Sequence, residues 1–465
     1  MAITHPNPSF LVERKEETEL VKPSEPTPLH QLSLSTIDND PSLNILCQSI
    51  YVYRANDDTG NGNNHDYRNF NSDPISVVKE ALSKVLVYYY PLAGKIKRHS
   101  DGKLRVDCTA EGVPFSVATA SCKLSSLQYL NGVDVKTLKH FVYDMAADGD
   151  NEVHPLVMQV TQFSCGGFTI GLGIYHSVCD GSGAAQFFRA MAEIASGKSK
   201  PSVKPVWERE RLVVSPTQEP FQLPMSKDSL ATSPYLPTTD FSHECFDVSS
   251  ESIRRLKMGL MKESGIENFT TVEAIGAYVW RSRLRALEMN LDGETSFCLA
   301  VGIRRLLDPP LPEGYYGNAF VGSNLVLKGR DLNEGPLSRV VRLIKESKKN
   351  AYKIDHIWSW IAFLDRANQL NMEIEASGSS MILTDWRQLG LFEDVDFGWK
   401  GVVNMIPVPV NFFGHVELCI FLPPFSLDLS MKGGLRVLVC LPRAAMAKFK
   451  EEMNALQLEE HKALI

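Results

Sequence analysis

Several features are missing from this chain, and each absence closes a class of function. No uninterrupted apolar stretch is long enough to span a bilayer. No block of Lys or Arg marks a nucleic-acid or membrane footprint, and the net charge is −7. The nine cysteines form no Cys-x-x-Cys pair and no His/Cys cluster at zinc spacing, so neither a disulfide framework nor a metal site is expected. They read as free thiols packed as small hydrophobes in a reducing compartment. The N-terminal MAITHPNPSFLVERKEETEL lacks the layout of a signal peptide and the Arg-rich, acid-poor look of a transit peptide. The C-terminal Ala-Leu-Ile is no recognised address, which leaves a cytoplasmic location as the expectation.

Familiar catalytic motifs are missing too. There is no Gly-x-Ser-x-Gly elbow, no P-loop, no zincin helix and no dinucleotide fingerprint. Gly181-x-Gly183 opens a helical stretch but has Gln186 where the third glycine of a Rossmann motif belongs. Asp396-Phe397-Gly398 spells the kinase triplet, yet no His-Arg-Asp loop or phosphate-covering glycine loop precedes it.

What is present is an ordinary globular composition, 44% hydrophobic and 22% charged, over 465 residues. That length suggests two domains or three. Strands are expected at 43–53, Leu104–Cys108, Val113–Ala118, Leu156–Phe163 and Phe168–Tyr175, with Gly166-Gly167 as a hairpin turn. Helices are expected at Ile75–Val87 and Gly183–Ile194. Residues 196–237, rich in Ser, Pro and Lys, read as a long crossover. Beyond it come helices at Ser252–Met261, Thr271–Leu287, Leu337–Ala351 and Ala444–Ala455. Strands are expected there at Thr295–Ile303, Phe320–Leu327, Ser380–Thr384, Val402–Val408, Glu417–Leu422 and Leu435–Leu441. This alternation predicts a mixed α/β architecture of sheets with helices packed on them. The expected division is 1–200, a crossover at 201–237, and 238–465.

His-x-x-x-Asp occurs three times, at His140, His176 and His243. Only His176 has a glycine-bearing strand before it (Gly171, Gly173) and the turn Asp180-Gly181-Ser182-Gly183 after it. A histidine at a strand end can present one ring nitrogen to a cleft and take a proton near neutral pH. The plain alternative is a histidine packed at a domain seam. Cys179 beside it reads as core filler rather than a nucleophile. Asp396 reads as an acid paired with a buried arginine, bracing a turn.

Together, His176-Ser-Val-Cys-Asp180-Gly181 and Asp396-Phe397-Gly398-Trp399 resemble the two signatures of the plant BAHD acyltransferases. Supporting segments are Leu34-Ser-Thr-Ile-Asp38, Tyr89-Tyr-Pro-Leu-Ala-Gly94, Pro309-Pro-Leu-Pro312 and Gly314-Tyr-Tyr-Gly-Asn318. Within the family the chain is similar to the spermidine hydroxycinnamoyl transferases, through Val113–Ala120, Pro205–Arg211, Ser233–Pro237 and Lys448–Met453.

The resemblance implies two chloramphenicol-acetyltransferase-like domains, each a mixed sheet with flanking helices, and a solvent channel between them. It implies that His176 is the general base and that the Trp386 indole faces the oxyanion. Asp180 would pair with Arg304, and Asp396 and Gly398 would support the site. Thr384, Phe397, Trp399 and Gly181 would contact substrate. The implied reaction moves a hydroxycinnamoyl group from an acyl-CoA donor to a polyamine amine, or alternatively to an alcohol, with no cofactor or metal. A monomer is the family expectation. A catalytically dead binding protein on the same scaffold is the alternative outside the enzymes. One position departs from the family: Lys400 stands where the second signature usually has glycine, and a cation there would repel a polyamine.

Overall fold

The computed structural model describes residues 11–14, 17–55, 73–143, 152–222, 227–265, 268–370, 378–392, 395–399, 401–408 and 417–458. Lys400, the departure noted above, lies outside them.

The strand Phe168–Tyr175 (FTIGLGIY) is buried on both faces, as a continuous apolar run with two glycines leads one to expect of a central strand. It lies antiparallel to Leu156–Phe163 on one side and to Leu46–Tyr53 on the other. Around this trio grows a seven-stranded sheet in the order Val12–Arg14, Val113–Ala120, Leu156–Phe163, Phe168–Tyr175, Leu46–Tyr53, Val402–Val408, with Glu19–Val21 also on Val113–Ala120. The sheet is mixed, since Val113–Ala120 and Leu156–Phe163 run parallel. Helices Pro74–Val85 and Gly181–Ala195 pack on each other, with Val78, Leu82, Phe187, Phe188 and Met191 in the core beneath them.

A second, six-stranded sheet has the order Phe241–Val248, Leu435–Pro442, Glu417–Leu422, Ser380–Asp385, Glu294–Gly302, Phe320–Lys328. Ser380–Asp385 is parallel to both neighbours, so this sheet is mixed as well. Helix Thr271–Ala286, started by a Thr270/Glu273 capping box, lays Trp280 against Phe297 in the second core. A small four-stranded sheet of Gln31–Ser33, Leu104–Asp107, Lys95–Arg98 and Glu152–Val153 completes the molecule's β structure among the described residues.

Three findings differ from the sequence reading. Val402–Val408 forms the edge of the first sheet, so that sheet draws on both halves of the chain. Helix Ile354–Gln369 and strand Phe241–Val248 were not anticipated. Within 196–237, a turn at Arg209–Leu212 sends Arg209 into the interior at 1% exposure, and bridges join Val206 to Tyr315 and Leu230 to Glu294. Among the described residues, no helix is long and apolar enough to cross a membrane.

Candidate active site

Ladder hydrogen bonding carries the central strand one residue past its end: Tyr175 N–H donates to Pro155 O and His176 N–H to Ile45 O at 2.8 Å. The chain then turns, and Asp180 becomes the N-cap of helix Gly181–Ala195, accepting from Gly183 N–H at 2.9 Å. His176 therefore sits between a rigid strand and a capped helix. Its side chain opens on a cavity of about 440 Å³ bounded by both large sheets. The first sheet contributes Tyr51, Leu172 and Ile174; the second contributes Phe320, Ile382, Leu418 and Leu438. Thr384, Asp385 and Trp386 lie on the same cavity, where the strand Ser380–Asp385 ends in a short turn, and Gly181 lines it as well.

The Asp180 carboxylate is enclosed by donors, and Asp180 and Arg304 both border the cavity. Arg304 Nη1 and Nη2 donate to its two oxygens at 2.8 and 2.7 Å, and Ala319 N–H donates at 3.1 Å. Burial raises the Asp180 pKa, but the Arg304 charge and these donors outweigh it and hold the carboxyl below its usual range. Arg304 Nη2 also reaches Gly317 O. Asp180 thus fastens the helix start to the loop after strand Glu294–Gly302, and its oxygens are fully committed. That loop lies close: a Cβ on Gly183 would come within 2.0 Å of Tyr316 O, so only glycine fits.

Burial pushes the His176 pKa below its ordinary value, while the Asp180 charge foremost, the neighbouring Asn318 side chain and the Asp38 charge act in the opposite sense. The net effect favours the neutral ring, the form that accepts a proton. Cys179, 4% exposed, is pushed up by burial and keeps its proton, consistent with core filling rather than nucleophilic chemistry.

The second signature differs from its implied roles. Phe397 is 1% exposed and packs between Tyr53 and Phe188, at ring distances of 5.9 and 5.3 Å. Trp399 is edge-on to Phe168 at 5.0 Å. Both fill the core behind the first sheet, and neither they nor Gly398 line the cavity. Two large apolar rings lose more by facing a wet channel than by packing there. Asp396 is exposed and accepts from Gly398 N–H (2.7 Å) and Trp399 N–H (2.9 Å), so it braces the turn through backbone amides, and among the described residues no arginine pairs with it. Gly398 holds φ +102°, which explains its residue type.

Other residues near His176 escaped the sequence reading. Asn318 Nδ2 donates to His176 O (2.6 Å) and to Asp38 Oδ1 (2.7 Å); Asp38 in turn faces Arg209 Nε at 3.1 Å. All three are essentially without solvent exposure. Two of the family-like segments, Leu34–Asp38 and Gly314–Asn318, end on members of this group; that was the available signal. His243, set aside on pattern, lines the cavity from strand Phe241–Val248, and burial lowers its pKa. His140 is exposed at the surface.

Comparison with known proteins follows the same outline. A family model described as the Transferase family matches residues 11–456. The chain is 44% identical over 455 residues to a spermidine coumaroyl-CoA acyltransferase of Arabidopsis thaliana, covering 96% of each chain. It is 43% identical to a spermidine sinapoyl-CoA acyltransferase of the same plant, covering 96% of this chain and 98% of that one. Among solved structures it is similar to vinorine synthase, with TM-score 0.72, 23% identity, and coverage of 96% and 98%. That last likeness concerns the fold: two mixed α/β units in one chain.

Proposed function

This chain belongs to the Transferase family, the BAHD acyltransferases, and we propose that it moves a hydroxycinnamoyl group from coenzyme A to an amine of spermidine, with His176 as general base. The observation that carries the reading is the near full-length similarity to two spermidine acyltransferases, together with a cavity on which His176 and Trp386 both open.

An ammonium has no lone pair, so the acceptor reacts as the free amine. The amine nitrogen attacks the thioester carbonyl, and His176 takes the proton it sheds. The oxyanion that forms needs a donor already in place, and the Trp386 indole N–H is assigned that part. One such donor contributes on the order of 3 kcal/mol elsewhere. When the tetrahedral centre collapses, the carbon–sulfur bond breaks and the imidazolium returns its proton to the departing thiolate. The products are the amide and free coenzyme A, and the donor is thus a substrate that leaves changed. No acyl group rests on the protein, so both substrates bind before either product leaves, and kinetics are sequential.

Thr384 and Gly181 are assigned to the substrate-contacting wall, Asp180 and Arg304 to its support, and 201–237 to the connection between halves 1–200 and 238–465. Asp180 stands apart from proton transfer because its oxygens are occupied by Arg304, Gly183 and Ala319. The test is mass spectrometry of products from the purified protein incubated with p-coumaroyl-, caffeoyl-, feruloyl- and benzoyl-CoA. Spermidine and a panel of alcohols compete as acceptors. Mono- or multi-acylated spermidine is expected, and absent with His176→Ala. Exclusive ester formation refutes the acceptor, and a fully active His176→Ala protein refutes the base.

A further inference from the structure

The cavity has two ends, and a histidine stands at each. Phe320, on one edge strand of the six-stranded sheet, lies 6.0 Å from the His176 ring. His243 lines the cavity from the opposite edge strand, Phe241–Val248. Trp386 follows the end of Ser380–Asp385, which stands three strands from Phe241–Val248, roughly 14 Å at ~4.8 Å per strand. The floor between them is apolar. Thr384 is opposite Ile420 and Ile420 opposite Leu438, Ile382 is opposite Leu418, and all of them border the cavity. His243 faces Cys440 at the end of this floor. Pro407 and Val408 border the cavity from the strand that Arg436 ties to Leu435–Pro442.

Among the described residues the His243 ring has no hydrogen-bond or ion-pair partner, and burial lowers its pKa. It is therefore a neutral imidazole with one donor and one acceptor nitrogen to offer. Of the described residues that border the cavity, Asp180 and Asp385 are the carboxylates, and each is engaged through both oxygens by an arginine. Glu244, next to His243 in sequence, lies on the other face of the strand and pairs with Lys450 of helix Arg443–Leu458 at 2.8 Å. An ammonium lodged at the His243 end would have no anion to offset its desolvation. A flat apolar ring carrying one hydroxyl suits the same space, since the ring covers apolar side chains and the hydroxyl finds a partner.

We propose that His243 is a specificity-determining residue for the acyl donor: the aryl end of the acyl group lies over the Ile420–Leu438 floor, and its 4-hydroxyl hydrogen-bonds the His243 ring. The 4-position is on the long axis of a hydroxycinnamoyl group, so it is the one that points down the cavity when the carbonyl sits between His176 and Trp386. The propenoyl chain and the ring together cross the strands between Trp386 and His243. A benzoyl group, shorter by the vinyl unit, stops before His243. No bond is made or broken at this residue, which acts through binding alone. The inference rests on the acyltransferase reading and extends it from the reacting carbonyl to the far end of the acyl group.

Steady-state kinetics of the full-length protein with spermidine and a matched pair of donors, p-coumaroyl-CoA and cinnamoyl-CoA, test it. The wild type is expected to prefer the hydroxylated donor in kcat/KM by about tenfold, the scale of one neutral hydrogen bond. His243→Leu should bring the two donors to within about twofold of each other, while His243→Gln, which can still hydrogen-bond, keeps part of the preference. In the wild type, 4-hydroxybenzoyl-CoA should show no such advantage over benzoyl-CoA. A His243→Leu protein that retains the preference overturns the proposal. So does an equal loss with both donors, which indicates a structural role, or a loss confined to the KM for spermidine, which indicates an acceptor site. Should the leucine variant fail to fold, His243→Asn carries the same comparison, because its amide is too short to reach the hydroxyl. A wild type that acylates spermidine but is indifferent to the 4-hydroxyl refutes the role of His243 with no variant at all. A wild type that acylates no acceptor from any acyl-CoA refutes the acyltransferase reading, and this proposal with it.

Discussion

A base that works at neutral pH must be uncharged there, and burial achieves this for His176 by opposing the imidazolium more strongly than Asp180, Asn318 and Asp38 favour it. The sign follows directly. With its pKa below the ordinary value near 6.5, the ring is neutral across the physiological range and loses base function only as pH falls through that lowered value. With an alcohol acceptor, kcat/KM should therefore hold constant through neutrality and drop only below pH ~6.5. With spermidine it should keep rising above neutrality, because each pH unit increases the free-amine fraction roughly tenfold until the amine pKa near 10 is reached. Rate profiles for the two acceptor types measure this; an acid limb clearly above pH 6.5 with the alcohol acceptor contradicts a depressed histidine. Single residues were unevenly legible in the sequence. His176 and Asp180 announced themselves because a strand, a cap residue and two glycines surround them. Asn318 did not, because its partners are 142 and 280 positions away. Phe397 and Trp399 misled, since a conspicuous aromatic motif says nothing about which side of a sheet its rings will face.

The helix Gly181–Ala195 depends at its start on one side chain with two jobs. Asp180 caps it, and Asp180 binds Arg304 in a two-pronged pair whose members are 10% and 24% exposed. Removing the pair and the cap together costs more than removing the charge alone. Asp180→Ala should lower the unfolding free energy by about 3 kcal/mol by leaving a mostly buried guanidinium without its partner. Asp180→Asn, which still caps, should lose about 1 kcal/mol less. Chemical denaturation followed by tryptophan fluorescence compares them, and equal midpoints for both variants and wild type would contradict the structural role. Among elements, strands with a continuous apolar run and helices with clear caps were readable. Ile354–Gln369 was missed because it has no side-chain cap and carries Ile, Trp and His residues with weak helix preference. Phe241–Val248 was missed because it is a sheet edge, mostly half-exposed, with His, Glu and Asp among its residues.

At the scale of the molecule, the first sheet is finished by a strand from the far half of the chain. Val402–Val408 pairs with Leu46–Tyr53, and Val403 and Val408 close a core with Ile50, Val52 and Phe141. Arg436, 3% exposed on the second sheet, donates to Asn404 Oδ1 at 3.0 Å and Met405 O at 3.3 Å, tying that strand to its own half as well. A fragment of residues 1–200 would therefore expose the apolar edge of Leu46–Tyr53, a template for aggregation. Expressed alone it should elute as aggregates in size-exclusion chromatography; a monomeric fragment with native-like near-ultraviolet dichroism would contradict this. The same crossing puts His176 from one half and Trp386 from the other on a single cavity.

The amino-acid sequence by itself determined the mixed α/β class, most strands and helices, and the strand–turn–helix that presents His176, because each follows from local periodicity, capping and turn chemistry. Only the tertiary structure decided that strand 402–408 joins the first sheet, that Phe397 and Trp399 turn inward, that His243 reaches the cavity, and that Asp38, Arg209 and Asn318 meet behind the histidine. Those outcomes depend on which distant surfaces exclude water together, and no short window of sequence contains both partners.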